Sequence, residues 1–327
     1  MRVFVTGSTG FIGSRITQLL LQRGHEVLGL CRSDEGARWL QGVGAQAHRG
    51  TLEDPQSLAA GAKAADAVIH TAFDHDFSRF VENTQKDSRV IHAMGEALIG
   101  TDKPFLITSG TGMGGGGPGV LALEDVLDLH HPNPRIASEQ AGEALRAQGV
   151  SVAVVRLPQV HDTVRQGLIT PLIAVARAKG VCAYLGDGLN RWPAAHVDDV
   201  ARLYCLALEH HSSGARWHAV AEEGVAMREV VESLARGLNV PAVSLNADEA
   251  ADHFGWLAAF AAMDMPASSK ATRERLDWRP TGPTLLEDLS RMDYATFPIR
   301  TAEPHLASVD ASPARSTSSP ASASGAT

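Results

Sequence analysis

Short apolar runs alternate with stretches of helical character through the first half of the chain. The apolar runs are MRVFVTG, HEVLGLCR, AQAHRG, AVIHTAF and PFLITSG, and VSVAVVRLP follows later. Between them lie FIGSRITQLLLQRG, SDEGARWLQGVG, EDPQSLAAGAKA and DSRVIHAMGEALIG, which we interpret as helices. Strands and helices that alternate in this way predict a parallel sheet with helices on both faces.

The regular alternation weakens in the second half of the chain. GLITPLIAVARAKG, HVDDVARLYCLALEHH and MREVVESLARGLN still read as helices, and the intervening segments are mixed. We expect one unit over residues 1–300, with parts of 161–300 forming a smaller lobe beside the sheet. Residues 301–327 are rich in Ser, Ala, Pro and Thr, so we expect them to form a disordered tail.

Composition restricts the classes of partner. The formal net charge is −8, which argues against nucleic acid or an anionic membrane as the main partner. The three cysteines, Cys31, Cys182 and Cys205, are scattered and form no CxxC or Cys/His spacing, so we expect no metal site and a reducing, cytoplasmic setting. The N-terminus begins with a strand pattern, and no apolar run reaches the length of a membrane span, so we expect neither a signal peptide nor a transmembrane segment.

The segment VFVTGSTGFIGSRI places three glycines between a predicted strand and a predicted helix. Gly7 allows a tight turn, Gly10 lets the backbone approach a pyrophosphate, and Gly13 lets the helix pack on the strand. This context predicts dinucleotide binding at the helix N-terminus, mainly by residues 1–160. The residues that we expect to contact the cofactor here are Gly7, Thr9, Gly10, Phe11, Ile12 and Gly13.

The end of the second strand bears on the choice between NAD and NADP. It reads VLGLCRSDEG, so Arg32 and Ser33 come first, and Asp34 and Glu35 follow. An arginine there suits a 2′-phosphate, and we predict NADP. NAD stays open because of the two acids, and Arg32 has the alternative of being a solvated loop residue.

Several segments together resemble a known superfamily. TGSTGFIG at the start, VIHTAF after the fourth strand and LITSGT after the fifth resemble the short-chain dehydrogenases/reductases, and in particular their extended, epimerase/dehydratase-type branch. RLPQV, AAHVDDVARLY and SSKATRERLDWRPT resemble later landmarks of that branch. The resemblance implies an α/β fold: a Rossmann doubly wound parallel sheet with a small C-terminal substrate lobe.

The resemblance also implies roles for individual residues. Thr51 and Leu52 fall near the adenine. Thr71, Ala72 and Phe73 line the middle of the cofactor, and Leu157, Pro158 and Val160 fall beside the nicotinamide. Ser109 occupies the place of the family's catalytic serine or threonine, although a hydroxyl there also suits a cap on its own loop.

The chain differs from the family at the Tyr-x-x-x-Lys pair. In the family, the resemblance implies, the tyrosine of this pair exchanges a proton with the substrate. The pair belongs at the start of the helix PNPRIASEQAGEAL, where this chain has Arg135 and Glu139. No Tyr-x-x-x-Lys occurs anywhere in the sequence. Glu139 has two predicted roles, accepting hydrogen bonds from the nicotinamide ribose and pairing with Arg135; a surface pair of little consequence is the alternative.

Other groups offer a proton. His75 lies between Asp74 and Asp76, which predicts a raised pKa and a role as acid. His161 and Thr111 are alternative donors. For both His75 and His161, a solvated surface histidine is the simpler interpretation. His196 and Asp199 are interpreted as structural. The glycine-rich run after Ser109, SGTGMGGGGPG, reads equally as a mobile lid or as a plain connection.

These observations predict an NAD(P)H-dependent oxidoreductase for a small organic carbonyl or alcohol, with a non-standard proton donor. Two alternatives stay open: a non-redox isomerase, epimerase or lyase on the same fold, and an NADP-binding sensor without turnover. The expected partner is a small-molecule substrate, and a homodimer is left open.

Overall fold

The computed structural model describes residues 1–115, 117 and 119–297, so the predicted disordered tail 301–327 lies outside the described residues. Its centre is a seven-stranded parallel sheet in the order β3-β2-β1-β4-β5-β6-β10. These strands are β1 (Arg2–Thr6), β2 (Glu26–Cys31), β3 (Gln46–Arg49), β4 (Ala67–His70), β5 (Phe105–Gly110), β6 (Val152–Leu157) and β10 (Arg216–His218).

Alternate residues of the central strands bury into two separate apolar layers. Val3 and Val5 of β1 pack in one layer with residues of α1 (Phe11–Gln22) and α7 (Val197–Glu209). Phe4 points to the other layer, which is formed with α3 (Pro55–Lys63), α4 (Phe80–Glu96) and α5 (Ile136–Ala147). The sheet is therefore buried on both faces, as its continuous apolar strands predict. Helix α2 (Asp34–Gly42) connects β2 to β3.

In the sheet, β1 lies between β2 and β4. The strand order reverses at this point, between β1 and β4. Ligands of doubly wound sheets lie at the carboxyl ends of the strands beside such a switch point. The loops that leave β1, β4, β5 and β6 therefore define the expected cleft.

A second apolar cluster forms the lobe. It contains a three-stranded sheet of β7 (Gln159–His161), β9 (Arg191–His196) and β11 (Glu222–Ala226), and a strand pair of β8 (Cys182–Leu185) and β12 (Ala242–Leu245). The lobe's helices are α6 (Ile169–Lys179), α8 (Met227–Leu238), α9 (Ala247–Phe254), α10 (Ala258–Ala261) and α12 (Leu285–Arg291), while α11 (Lys270–Leu276) packs near β10. None of the helices in the described ranges is long and apolar enough to cross a membrane.

The six predicted strands of the first 160 residues and the parallel sheet are confirmed. Helix α4 and strand β10 differ from the prediction. Helix α4 begins at Phe80, earlier than the predicted DSRVIHAMGEALIG, because its first turns bury the polar residues Asn83, Thr84 and Lys86. Strand β10, of three residues, joins the main sheet beside β6 rather than the lobe.

Candidate cofactor and active site

The turn between β1 and α1 leaves no room for side chains at two of its glycines. Gly7 has a φ of +68°, and a Cβ there would lie 2.9 Å from the Ala72 nitrogen. A Cβ on Gly13 would lie 2.1 Å from the Gly7 oxygen. At Gly10, the first turn of α1 has neither a side-chain cap nor an acidic residue. The amides at this helix N-terminus are thus free to meet an anion.

The loop after β2 contains the arginine that would favour NADP and the acid that would favour NAD, and the two have different contacts. Arg32 and Ser33 are exposed, and the Ser33 hydroxyl caps α2 by accepting from the Gly36 amide at 3.1 Å. Asp34 is salt-bridged to Arg49, at the end of β3. The first acid of the loop is therefore already paired with a cation.

A buried polar cluster lies under the start of α5, and we call it the Asp87 cluster: His70, Asp87, Arg135 and Ser138. Arg135 donates to Asp87 Oδ2 at 2.6 Å and to the Thr108 carbonyl at 2.9 Å. The Ser138 hydroxyl donates to the same carboxylate oxygen at 2.6 Å. On the other side, His70 Nε2 lies 3.0 Å from Asp87 Oδ1. Asp87 thus joins β4, α4 and α5.

The electrostatics of Asp87 follow from these partners. Burial alone would raise the pKa of its carboxyl, but the charge of Arg135 and the hydrogen bonds from His70 and Ser138 lower that pKa to about 2. The Thr6 hydroxyl accepts from the Thr71 and Ala72 amides. Its proton is therefore directed to His70 Nδ1, 2.7 Å away, which leaves Nε2–H to donate to Asp87.

Glu139 forms a second buried ion pair, one turn further along α5. Its two oxygens accept from Arg156 Nε and Nη2, both at 2.8 Å, and both side chains are almost fully buried. Arg156 also donates to the carbonyls of Val126, at 2.9 Å, and Leu123, at 3.3 Å. Burial and the neighbouring charge of Arg156 lower the pKa of His218, which touches the same guanidinium, to about 3. The pair therefore ties the loop before α5 to the sheet.

The predicted pairing of Arg135 with Glu139 is wrong. Each side chain has its own buried partner, Asp87 for Arg135 and Arg156 for Glu139. The prediction failed because Asp87 and Arg156 are distant in sequence, on α4 and β6, and spacing along one helix does not reveal them. With both carboxylate oxygens held by Arg156, Glu139 is also not free to accept from a ribose as it stands.

Ser109 is the last residue but one of β5, at the expected edge of the sheet. Its side chain is 3% exposed, and none of the described residues hydrogen-bonds to its Oγ. Thr111 follows in a 3₁₀ turn (Thr111–Gly114) and is also buried. In that turn a Cβ on Gly114 would lie 2.4 Å from the Leu123 oxygen. The predicted lid includes Gly116 and Pro118, which lie outside the described residues.

The predicted raised pKa of His75 is wrong, because desolvation among surrounding groups and the charge of Arg135 lower that pKa. The residue is exposed, and its ring meets Phe73 edge-on with the centroids 5.4 Å apart. Its flanking carboxylates are engaged elsewhere. Asp74 accepts from Lys86 at 2.9 Å, and Asp76 caps the next 3₁₀ turn by accepting from the Ser78 amide.

The other two histidines named in the sequence analysis, His161 and His196, lie where the lobe meets the main sheet. His161 is fully buried, with Nδ1 2.7 Å from Asp288 of α12. His196 caps α7 by accepting from the Asp198 amide. Asp199 accepts from the backbone amides of 281 and 282, at 2.9 and 2.8 Å. These contacts are those of residues that join elements.

The residues that the resemblance places along the cofactor are distributed around the switch point. Thr71 Oγ1 donates to the Thr6 carbonyl at 2.7 Å and fixes the loop after β4. The Thr51 hydroxyl accepts from the amide of residue 53 at 3.2 Å. Side chains that keep part of their surface exposed include Leu52, Phe73, Leu157 and Pro158. Val160, by contrast, is 5% exposed and packs in the apolar layer of α1 and α7.

Sequence reasoning missed His70, Asp87, Ser138 and Arg156. The available signal was the run of polar residues in α4 at positions that an amphipathic helix would bury, from Asn83 to Asp87. Arg156 inside an otherwise apolar strand was a second such signal. Buried charges need partners, so both signals pointed to ion pairs without identifying them. Among the described residues, no group of three metal-ligating side chains is close enough to hold an ion.

Comparisons with known proteins agree with this geometry. The family model for the NAD-dependent epimerase/dehydratase family matches residues 3–220. An uncharacterized Schizosaccharomyces pombe protein is 44% identical over 90% of this chain and all of its own length. A 2-alkyl-3-oxoalkanoate reductase of Stenotrophomonas maltophilia is 29% identical over 74% of this chain and 77% of its own.

Among solved structures, the UDP-glucose 4-epimerase of Thermotoga maritima with UDP-glucose superposes with a TM-score of 0.70 at 20% identity. The superposition covers 89% of this chain and 96% of the epimerase. At this level of identity the likeness establishes the fold alone.

Proposed function

The chain belongs to the NAD-dependent epimerase/dehydratase family, and on that premise we propose that it is an NADP-dependent oxidoreductase that reduces a small organic carbonyl compound. The nicotinamide supplies hydride when it is bound. The observation that carries the proposal is the Ser109 hydroxyl, buried at the end of β5 with no hydrogen-bond partner among the described residues. Buried hydroxyls normally have partners, so we assign Ser109 as the donor to the substrate oxygen.

The residues present fit a dinucleotide. At Gly7 and Gly13 a Cβ would clash with backbone atoms, which is the tight geometry of a dinucleotide-binding turn, and the N-terminus of α1 has no side-chain cap in its way. At the ribose end, the exposed Arg32 supports NADP, and Asp34, the acid that would favour NAD, is paired with Arg49.

The proposed division of labour follows from the contacts. Arg135 holds the Thr108 carbonyl, next to Ser109, and its other terminal nitrogen is paired with Asp87. It therefore positions the strand end and does not donate the proton. Glu139, through Arg156, positions the loop before α5. The lowered pKa of His75 makes it a poor acid near neutrality, so we assign delivery of the proton to the hydroxyls of Ser109 and Thr111 with solvent.

The reaction is tested by mixing the purified protein with NADPH and a panel of aldehydes, ketones, imines and activated alkenes. We expect loss of reduced-nicotinamide absorbance with at least one carbonyl compound. NADPH binding without any turnover would contradict the proposal. It would favour an NADP-binding sensor, the candidate that the closed Arg135–Asp87 and Glu139–Arg156 pairs support.

The choice of cofactor is tested with Arg32→Ala. Loss of a charge-assisted contact to the 2′-phosphate is expected to raise the KM for NADPH about tenfold and leave the KM for NADH within about twofold. Arg38→Ala, an exposed arginine of α2, is the matched control. Equal changes for both cofactors would remove Arg32 from phosphate recognition.

A further inference from the structure

Five aromatic side chains form a continuous row at the surface between the main sheet and the lobe. We call it the aromatic wall, and it consists of Phe73, Phe77, Phe80, Trp256 and Phe260. Phe77 stacks on Trp256 with ring centroids 5.3 Å apart and an interplanar angle of 8°. Phe260 meets Phe77 edge-on at 5.9 Å and Phe80 at 6.2 Å. Residues from the β4–α4 region therefore meet residues of the lobe through their rings.

The aromatic wall begins at the proposed reaction centre. Phe73 lies under the guanidinium of Arg135, whose Cζ is 4.1 Å from the ring centroid, and Arg135 also holds the carbonyl of Thr108 beside Ser109. From Phe73 the row continues to Phe80, at 6.3 Å, and outward to Trp256. A ligand whose oxygen meets Ser109 thus has aromatic surface leading away from that point.

The rings of the wall keep part of their surface accessible. Trp256 is 48% exposed, and the four phenylalanines are each only partly buried. Three other tryptophans, Trp192, Trp217 and Trp278, are fully buried in the interior. Clustered exposed apolar surface is a common feature of ligand-binding grooves.

Charged groups near the wall are paired with opposite charges, apart from Asp76, which caps the turn that contains Phe77. The charge of Arg135 is paired with Asp87. On the lobe, Arg191 is paired with Asp264, four residues after Phe260, at 3.0 Å. Exposed apolar residues of the loop before α5, Val120 and Leu121, come close to the same region, because a Cβ on Gly119 would lie 3.3 Å from Asp264 Oδ2. The surroundings of the wall therefore favour an uncharged ligand over an anionic one.

We infer that the substrate is an uncharged aromatic aldehyde or ketone, whose planar ring packs against the aromatic wall while its carbonyl oxygen meets Ser109. This inference rests on the proposed function. Flat rings gain from offset-stacked and edge-on contacts with Phe and Trp beyond the area that they bury. Saturated rings of the same size lack that gain.

The test compares benzaldehyde with cyclohexanecarbaldehyde, which has the same carbon skeleton without the planar ring. We expect kcat/KM to be about tenfold higher for benzaldehyde, and Trp256→Ala to reduce that preference about fivefold, mainly through KM. Ile99→Ala, at an exposed apolar site in the connection between α4 and β5, is the control and should leave the preference unchanged. Equal turnover of both aldehydes, insensitive to Trp256→Ala, would overturn the inference and leave the proposed reaction standing.

Binding of unreactive analogues separates the two proposals. Calorimetry with the NADP-loaded protein should show that benzamide binds more tightly than cyclohexanecarboxamide and that Trp256→Ala removes the difference. Absence of turnover with this binding pattern intact would overturn the proposed reaction and support the aromatic site. No preference for benzamide would overturn the aromatic site itself.

Discussion

The turn after β1 and the start of α5 face the same cleft, yet they follow different rules. At the turn, Gly7 and Gly13 sit where any side chain would clash with backbone, as a dinucleotide-binding turn requires. At the start of α5, Arg135 and Glu139 each lie in a buried ion pair with a residue far away in sequence. One region depends on backbone geometry, and the other depends on charge pairing.

Under the proposed function, the cofactor turn and the site of proton transfer have separate requirements. The cofactor turn depends on space and on backbone amides, so few residue types satisfy it. The start of α5 depends on charge balance, and a buried cation can be exchanged for another polar group if its partner changes too.

The largest effect is expected from Glu139→Ala, which leaves the Arg156 guanidinium buried without its counter-charge. Breaking one partner of such a pair costs about 3–5 kcal/mol of the free energy of unfolding, measured by urea denaturation. Glu232→Ala, on α8 and paired with the exposed Arg228, is the control and should cost less than about 1 kcal/mol. Equal losses in the two variants would contradict a buried pair at Glu139.

Glu139→Gln tests whether the carboxylate of the same residue contacts the ribose of NADPH. The amide retains the shape and one acceptor oxygen, so the protein should fold with NADPH affinity within about twofold of the wild type. A large loss of affinity at unchanged stability would instead return Glu139 to the ribose.

The network around Arg156 also predicts a dependence of stability on pH. The pKa of His218 is lowered to about 3 by burial and by Arg156, whereas an unfolded histidine titrates near 6.5. The unfolded state therefore binds the proton first. The contribution of His218 is fully present above pH 6.5 and is lost progressively as the pH falls toward 3, by a few kcal/mol, on the order of the linkage for such a shift.

Unfolding measured between pH 7 and pH 4 checks this dependence. His218→Asn should flatten the fall in stability across that window. An unchanged slope in the variant would show that other groups set the acid sensitivity.

A smaller effect on stability is expected at the cofactor turn. Gly13→Ala places a Cβ against the Gly7 carbonyl, and such overpacking costs about 1–3 kcal/mol. NADPH binding should fall below detection, because the turn must open to relieve the clash. Gly42→Ala in α2, where a Cβ meets nothing within 4 Å, should keep binding intact; loss in both variants would contradict a specific role for the turn.

The sequence was sufficient for the parallel sheet and for the glycine turn, because both depend on short-range patterns. Strand periodicity and the spacing of Gly7, Gly10 and Gly13 are local properties. It was insufficient for the partners of Arg135 and Glu139, because these partners depend on which buried residues of α4 and β6 meet the start of α5. It was also insufficient for the surroundings of His75. The fate of Asp74 illustrates the limit: it neighbours His75 in sequence but hydrogen-bonds to Lys86.

The central claim is that the chemistry depends on Ser109 while the cofactor turn works independently of it. The most direct test measures kcat and the Kd for NADPH in Ser109→Ala, with the exposed Ser213→Ala as the matched control. We predict that kcat falls about a hundredfold or more in Ser109→Ala, with the Kd for NADPH unchanged in both variants. Turnover by Ser109→Ala at the rate of the wild type would contradict the claim.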